Sequence, residues 1–423
     1  MPSVTLLGAG HETIRLAYDS TANALIAAQI AAAISKEIEA GSVIPVDGGT
    51  GPIQVPPPLP GGKTGEFVQK YDGMSIMTPG YKDVVVTAAS ATVLGSGDAN
   101  EAILSSEGEL TFIATGGSGT VVAGGGAQGH GHHGHRSGHG SSGGDLIIVP
   151  GSDNGAWGIY TGGGNDTVLA LGGGNDTVAA GSGHNYIQLG SGLDSVLSTG
   201  SDTIGTGSGH DTINATGDAH DLVQGGTGHL LFLGGAGSVT LFGGAGSDTF
   251  VGGSGRAIVY GGQGGNNSLL GGTGTATLFG GGAGDHLYAQ GADAQALVAG
   301  IGNETLSAAM ATGADSLVAG SGKDSLIGGH GNDTFFGGTG SSTMLGGAGH
   351  DIFTFVKSLN GGTDLVMNFT NLDKIDLQGY GPNAVKDALA SQTYANGSVT
   401  ITLPDNTRVT FAGIADLTKG DFT

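Results

Sequence analysis

The residues with the clearest chemical potential are aspartates that recur at a fixed distance behind glycine pairs. Gly162-Gly163-Gly164-Asn165-Asp166-Thr167-Val168 sets the pattern. Gly328-Gly329-His330-Gly331-Asn332-Asp333-Thr334-Phe335 and Gly346-Gly347-Ala348-Gly349-His350-Asp351-Ile352-Phe353 repeat it. About 21 such nonapeptides, some with a residue gained or lost, fill Thr161 to Thr354. Glycine accepts positive φ, so a short turn can reverse the chain and aim its carbonyl oxygens at one point. The aspartate adds a hard, charged oxygen, and calcium takes roughly six to eight oxygens of these two kinds. The expected ligands are Asp166, Asp176, Asp194, Asp202, Asp211, Asp221, Asp248, Asp285, Asp315, Asp324, Asp333 and Asp351, with Gly164, Gly174, Gly331 and Gly349 shaping the turns. An apolar residue two places after the aspartate, such as Val168, Val178, Phe250, Phe335 or Phe353, is expected to point inward from a short strand.

These copies resemble G-G-x-G-x-D-x-U-x, the calcium-binding nonapeptide of RTX proteins, over nearly half the chain. The resemblance implies an all-β fold, a parallel β-roll in which two nonapeptides make one coil and acidic ladders run along both edges. One ladder would hold Asp166, Asn185, Asp202, Asp221, Val239, Ala257 and Ala276, then Asp315, Asp333 and Asp351. The other would hold Asp176, Asp194, Asp211, Leu230, Asp248, Asn266, Asp285, Glu304, Asp324 and Ser342. The first loses its carboxylates between Val239 and Ala276, so that stretch of edge is expected to lack calcium. In the same copies Phe242, Tyr260 and Phe279 follow the inward residue and are expected to stack outward, either as an interaction surface or as stacking that only stiffens the roll.

Around the roll, other elements are legible. Leu25, Ile26, Ile30, Ile34 and Ile38 recur at helical spacing, with Ser20 or Thr21 to cap the start and Gly41 to end it. This predicts a packing helix, or one that joins subunits. Residues 1–62 read as this helix plus a stiff Pro/Gly-rich linker, and 63–128 as a β region with solenoid-like strands from about residue 84. Residues 129–144 read as an inserted His/Gly loop, 145–355 as the β-roll, and 356–423 as a β cap. Asp364-Leu365-Val366-Met367-Asn368-Phe369 and Val399-Thr400-Ile401-Thr402-Leu403, ending in Asp421-Phe422-Thr423, resemble the cap and uncleaved export signal of serralysin-like type I secreted proteins. That implies export by type I secretion machinery from a Gram-negative cell, to the outside or to the cell surface.

Composition narrows the function. Glycine is 90 of 423 residues, there are 36 acidic against 13 basic residues, and the net charge is −23. Such a chain favours cations over nucleic acid, whose recognition rests on Lys and Arg. Cysteine is absent, no apolar run is long enough to span a membrane, and the first ten residues lack a basic and apolar leader. His130, His132, His133, His135 and His139 form a possible second metal site on a surface loop. No HExxH is present, and Gly140-Ser141-Ser142-Gly143-Gly144 lacks the strand and helix of a nucleophile elbow.

No catalytic residue is therefore expected. The expected function is a secreted, calcium-dependent structural protein that self-assembles into a homo-oligomer or polymer, as a surface layer, filament or sheath. An adhesin for a polysaccharide or host surface is the alternative, and an RTX-tailed polysaccharide-modifying enzyme the least favoured. Sites with Kd of about 10⁻⁴–10⁻³ M would each add roughly 0.4–1.4 kcal/mol at millimolar calcium and almost nothing at cytosolic levels. The chain is thus expected to stay unfolded inside the cell and fold outside.

Overall fold

A computed structural model describes residues 1–106, 108–124, 144–359 and 361–423. The His/Gly loop, with all five of its histidines, lies outside the described residues. Two compact units divide the chain, Met1–Leu222 and Val223–Thr423. Each is built on a parallel β-solenoid, and together they hold about 17 turns. The division falls inside the stretch read from sequence as one roll.

In the first unit, the apolar residue of each short strand stacks on its counterpart one coil away. In one sheet the inward column runs Phe67, Val84, Ile103, Val121, Ile159, Val178, Val196, Ile213. In the other it runs Val93, Phe112, Ile147, Val168, Ile187, Ile204. All of these are buried. The solenoid starts earlier than residue 84, because Val43–Asp47 already pairs in parallel with Thr64–Gln69, and Ile53–Gln54 with Gly73–Ile76. The stretch read as a linker therefore contributes strands. Its turns carry no acidic motif, which is why the pattern hid them.

The predicted helix α1 spans Thr21–Glu39, and the Ser20 side chain accepts the Asn23 N–H at its start. Its Ala24, Ala27, Ala31, Ile34 and Ile38 pack with Val4, Leu6, Ile14 and Leu16 of an antiparallel hairpin, Ser3–Leu7 with Thr13–Ala17. The same cluster includes Val68, Val85, Leu104 and Val122, outward residues of four successive coils. The helix thus spends its apolar stripe on the flank of its own solenoid, in keeping with the reading of a packing helix.

The second unit repeats the scheme. Phe232, Phe250, Leu269, Leu287, Leu306, Leu326, Met344 and Val366 form one inward column. Leu241, Val259, Leu278, Leu297, Leu317, Phe335, Phe353 and Ile375 form the other. Phe rings stack within these columns, Phe232 on Phe250 at 5.5 Å and Phe335 on Phe353 at 4.9 Å. The end is closed as expected by a β cap. Arg408–Phe411 pairs in parallel with Thr363–Met367 but antiparallel with Ser398–Thr402, so the sheet reverses direction and the parallel edge ends. A short helix α2, Ala384–Ala390, lies in this cap. Phe369 meets Phe353 at 5.9 Å and Phe411 at 5.1 Å over the last core layer.

Stacked turns leave no room for side chains at the motif glycines. A Cβ on Gly331 would overlap the Gly313 carbonyl oxygen, and one on Gly174 the Gly155 carbonyl oxygen. Gly164 and Gly349 need positive φ as well, 140° and 142°. Gly331→Ala is therefore predicted to destabilise the calcium-loaded protein by about 1–3 kcal/mol. Gly61→Ala, where a Cβ meets nothing within 4 Å, should be neutral. Thermal unfolding of the two variants side by side checks this.

Candidate metal centre: the carboxylate ladders

Most ladder aspartates sit at the end of a glycine turn, immediately before the strand, while Asp211, Asp221 and Asp324 are its first or second residue, and strand pairing brings each over the equivalent residue of the next coil. One carboxylate oxygen then has a fixed task. It accepts the backbone N–H of the ladder residue one coil earlier. Asp145 donates its N–H to Asp166 at 2.8 Å, Asp166 to Asn185 at 2.9 Å, and Asp202 to Asp221 at 3.1 Å. On the opposite edge Trp157 donates to Asp176 and Asp176 to Asp194, both at 2.8 Å. In the second unit Asp315 donates to Asp333 and Asp333 to Asp351, both at 2.9 Å.

All twelve aspartates expected from sequence are buried, between 0% and 5% exposed. Their second oxygens divide them. The Oδ2 atoms of Asp176, Asp194, Asp221, Asp248 and Asp315 are buried with no hydrogen-bond partner. Those of Asp211, Asp285, Asp324 and Asp333 accept the N–H of the glycine four residues back, at 3.4, 2.8, 2.7 and 2.8 Å. Asp202 Oδ2 accepts the Ser198 hydroxyl at 2.8 Å. An anionic oxygen withheld from water without a donor is costly, so a row of them calls for cations. Among the described residues no three His, Asp or Glu side chains converge on a point. The remaining donors to a cation must then be turn carbonyl oxygens, a set that suits calcium and not a soft metal.

Three further carboxylates belong to the ladders and were missed from sequence. Asp145 accepts the Leu110 N–H at 2.7 Å, Asp364 that of Ser342 at 2.9 Å, and Asp373 that of Asp351 at 3.0 Å. Gly143-Gly144-Asp145-Leu146-Ile147 has the right order of glycine, acid and inward residue, but it borders the His/Gly loop. Asp364 and Asp373 follow a longer interval, 22 residues in place of 18. One expected position is corrected: Asn267, not Asn266, stands in the second ladder, accepting the Asp248 N–H at 2.7 Å. An extra turn residue shifts the register, and Asn266 absorbs it at φ 61°. Gln295 fills the first ladder between Ala276 and Asp315, donating its N–H to Asp315 at 2.8 Å.

The predicted acid-free stretch is present. Val239 and Ala257 donate their N–H groups to the carbonyls of Arg256 and Thr275, where other coils use a carboxylate. Phe242, Tyr260 and Phe279 stack on the outer face of these coils, ring centres 5.0 and 4.8 Å apart and planes within 5°. Trp157 is core, its indole N–H donating to Asp153 Oδ2 at 3.0 Å and its ring against Phe112.

Burial pushes the ladder carboxyls up. Asp145 is raised to about 8 by burial and then by the Asp166 charge, and Asp351 to about 7 by burial, with Asp373 and Asp333 adding to it. Asp211 rises to about 6 by burial and the charge of Asp194. For Asp176 and Asp315, burial raises the value to about 6 against the opposing pull of a backbone N–H. Raised folded-state values mean that, without metal, these groups favour the fold below about pH 4, the unfolded range. That contribution is lost as pH climbs through about 6 to 8. Calcium needs the deprotonated form, so its affinity rises over the same window. In metal-free protein the strand content should therefore fall steadily from pH 4.5 to pH 8, and in millimolar calcium the fall should be abolished or reversed. A metal-free strand content that rises with pH would contradict this.

The model of the RTX calcium-binding nonapeptide repeat matches the chain in four copies, at residues 171–198, 231–259, 311–344 and 331–354. No curated protein matches the chain. The matched copies include the orphan oxygens of Asp176, Asp194, Asp248 and Asp315 and the glycine-held carboxylates of Asp324 and Asp333. Sequence and geometry agree with this match: over these stretches the chain carries RTX calcium-binding nonapeptide repeats, whose turns bind several calcium ions.

Proposed function

We propose that the protein is a secreted, calcium-dependent structural subunit that self-assembles at the cell surface or in an extracellular matrix. The carrying observation is an apolar column on the outer face of the second unit. Phe242, Tyr260, Phe279, Val298, Val318 and Phe336 occupy equivalent positions on six successive strands. Phe242 and Tyr260 are 43% and 38% exposed. At about 4.8 Å per strand the column is roughly 24 Å long, a flat stripe of a kind that monomeric proteins rarely leave uncovered. Burial against another copy would cover it.

Two further features support the reading. The described part of the chain is almost entirely solenoid, hairpin, helix and cap, with no element set aside for chemistry, and we read the protein as non-enzymatic. RTX-repeat proteins are typically exported by Gram-negative bacteria, and a fold that needs millimolar calcium suits that route. The flush, evenly spaced rings also favour a second reading, adhesion through sugar rings laid across Phe242, Tyr260 and Phe279.

Adding calcium to purified protein should produce large assemblies, visible by light scattering and electron microscopy. The triple variant Phe242→Ser, Tyr260→Ser, Phe279→Ser should fold but assemble poorly. A protein that stays monomeric at every calcium concentration would contradict the proposal. Glycan-array binding lost in the same variant would favour adhesion.

A further inference from the structure

Not every ladder position carries a carboxylate, and the exceptions differ among themselves. Val239 and Ala257 simply omit the side-chain contact. Asn267 and Gln295 do something else. Asn267 is fully buried. Its Oδ1 accepts the Asp248 N–H at 2.7 Å, and its own N–H donates to Asp285 Oδ1 at 2.8 Å, so the ladder is unbroken. Its Nδ2 faces two turn carbonyl oxygens, Gly261 and Gly264, at 3.0 Å each. The partners fix the amide's orientation, oxygen toward an N–H and nitrogen toward two carbonyls.

A carboxylate in this place would set an anionic oxygen against carbonyl dipoles of the same sign, and only a cation between them would make the arrangement favourable. The amide supplies the positive end itself. Gln295, 3% exposed, goes further. Its Nε2 has three carbonyl oxygens around it: Gln290 of its own turn at 2.6 Å, and Gly272 and Gly274 of the preceding coil at 2.9 and 3.1 Å. It thereby bridges two coils.

We infer that the side-chain amides of Asn267 and Gln295 replace calcium ions in their turns, so that the roll around residues 261–300 is cross-linked by the protein alone and keeps its structure when calcium is removed. These two turns are the built-in metal-independent part of an otherwise metal-dependent roll. Folding on calcium addition would begin there, with the acid ladders added on either side.

The test uses the full chain, by hydrogen exchange in calcium and in EGTA. In EGTA, peptides from 261–300 should exchange at least about tenfold more slowly than those from 331–354, whose Asp333 and Asp351 have no amide substitute. Asn267→Asp should bind about one more calcium ion per chain by equilibrium dialysis, and should make protection of 261–285 calcium-dependent. Asn267→Ala should lose that protection in EGTA without gaining an ion. The inference is overturned if wild-type 261–300 loses protection together with 331–354. It is equally overturned if Asn267→Asp binds no additional ion, or does not fold in millimolar calcium.

Discussion

The constraint on which this structure depends is electrostatic. Aspartates stacked one per coil, at the roughly 4.8 Å spacing of a parallel sheet, are buried with one oxygen bonded to the neighbouring coil and, in many copies, the other bonded to nothing. Left alone, such a row opposes folding, both through lost hydration and through mutual repulsion. With a divalent ion between successive turns, the same row becomes the cross-link that holds coil to coil. The polymer between the ladders is poor in anything else that could do so, since each strand gives the core only one or two apolar side chains and the turns are largely glycine.

The other features follow from that arrangement. Turns packed against turns leave no volume for a Cβ, so glycine is required by contact as much as by φ. A parallel stack has two open ends and two bare faces, and the chain covers several of them itself. The helix Thr21–Glu39 and its hairpin lie along the flank of the first unit, and the antiparallel strands Ser398–Thr402 and Arg408–Phe411 close the second. The outer aromatic column is left uncovered, which is why it marks the surface of greatest functional interest.

Much of this was legible in the sequence, because a nonapeptide repeat specifies one coil after another. The inward residues from Val168 to Phe353 are buried as their position in the repeat requires, and the acid-free edge from Val239 to Ala276 is real. What the repeat hid were its irregularities. One inserted residue moved the ladder from Asn266 to Asn267. A longer interval concealed Asp364 and Asp373, and an adjacent low-complexity loop concealed Asp145. The first coils, from Val43, use strand pairing and apolar packing without the glycine-aspartate nonapeptide, so no repeat distinguished them from a linker. Sequence spacing also did not show which aspartates keep an orphan oxygen, since that depends on whether a turn glycine N–H reaches back to them.

The most direct test of the account is a calcium titration of metal-free protein at neutral pH, followed by far-ultraviolet circular dichroism with magnesium as the control. The account predicts that most of the strand signal is absent in EGTA and develops cooperatively as calcium approaches the millimolar range, while magnesium at the same concentration leaves it undeveloped. Full strand content in EGTA, unchanged by calcium, would show that the ladders do not need their ions and would contradict the account.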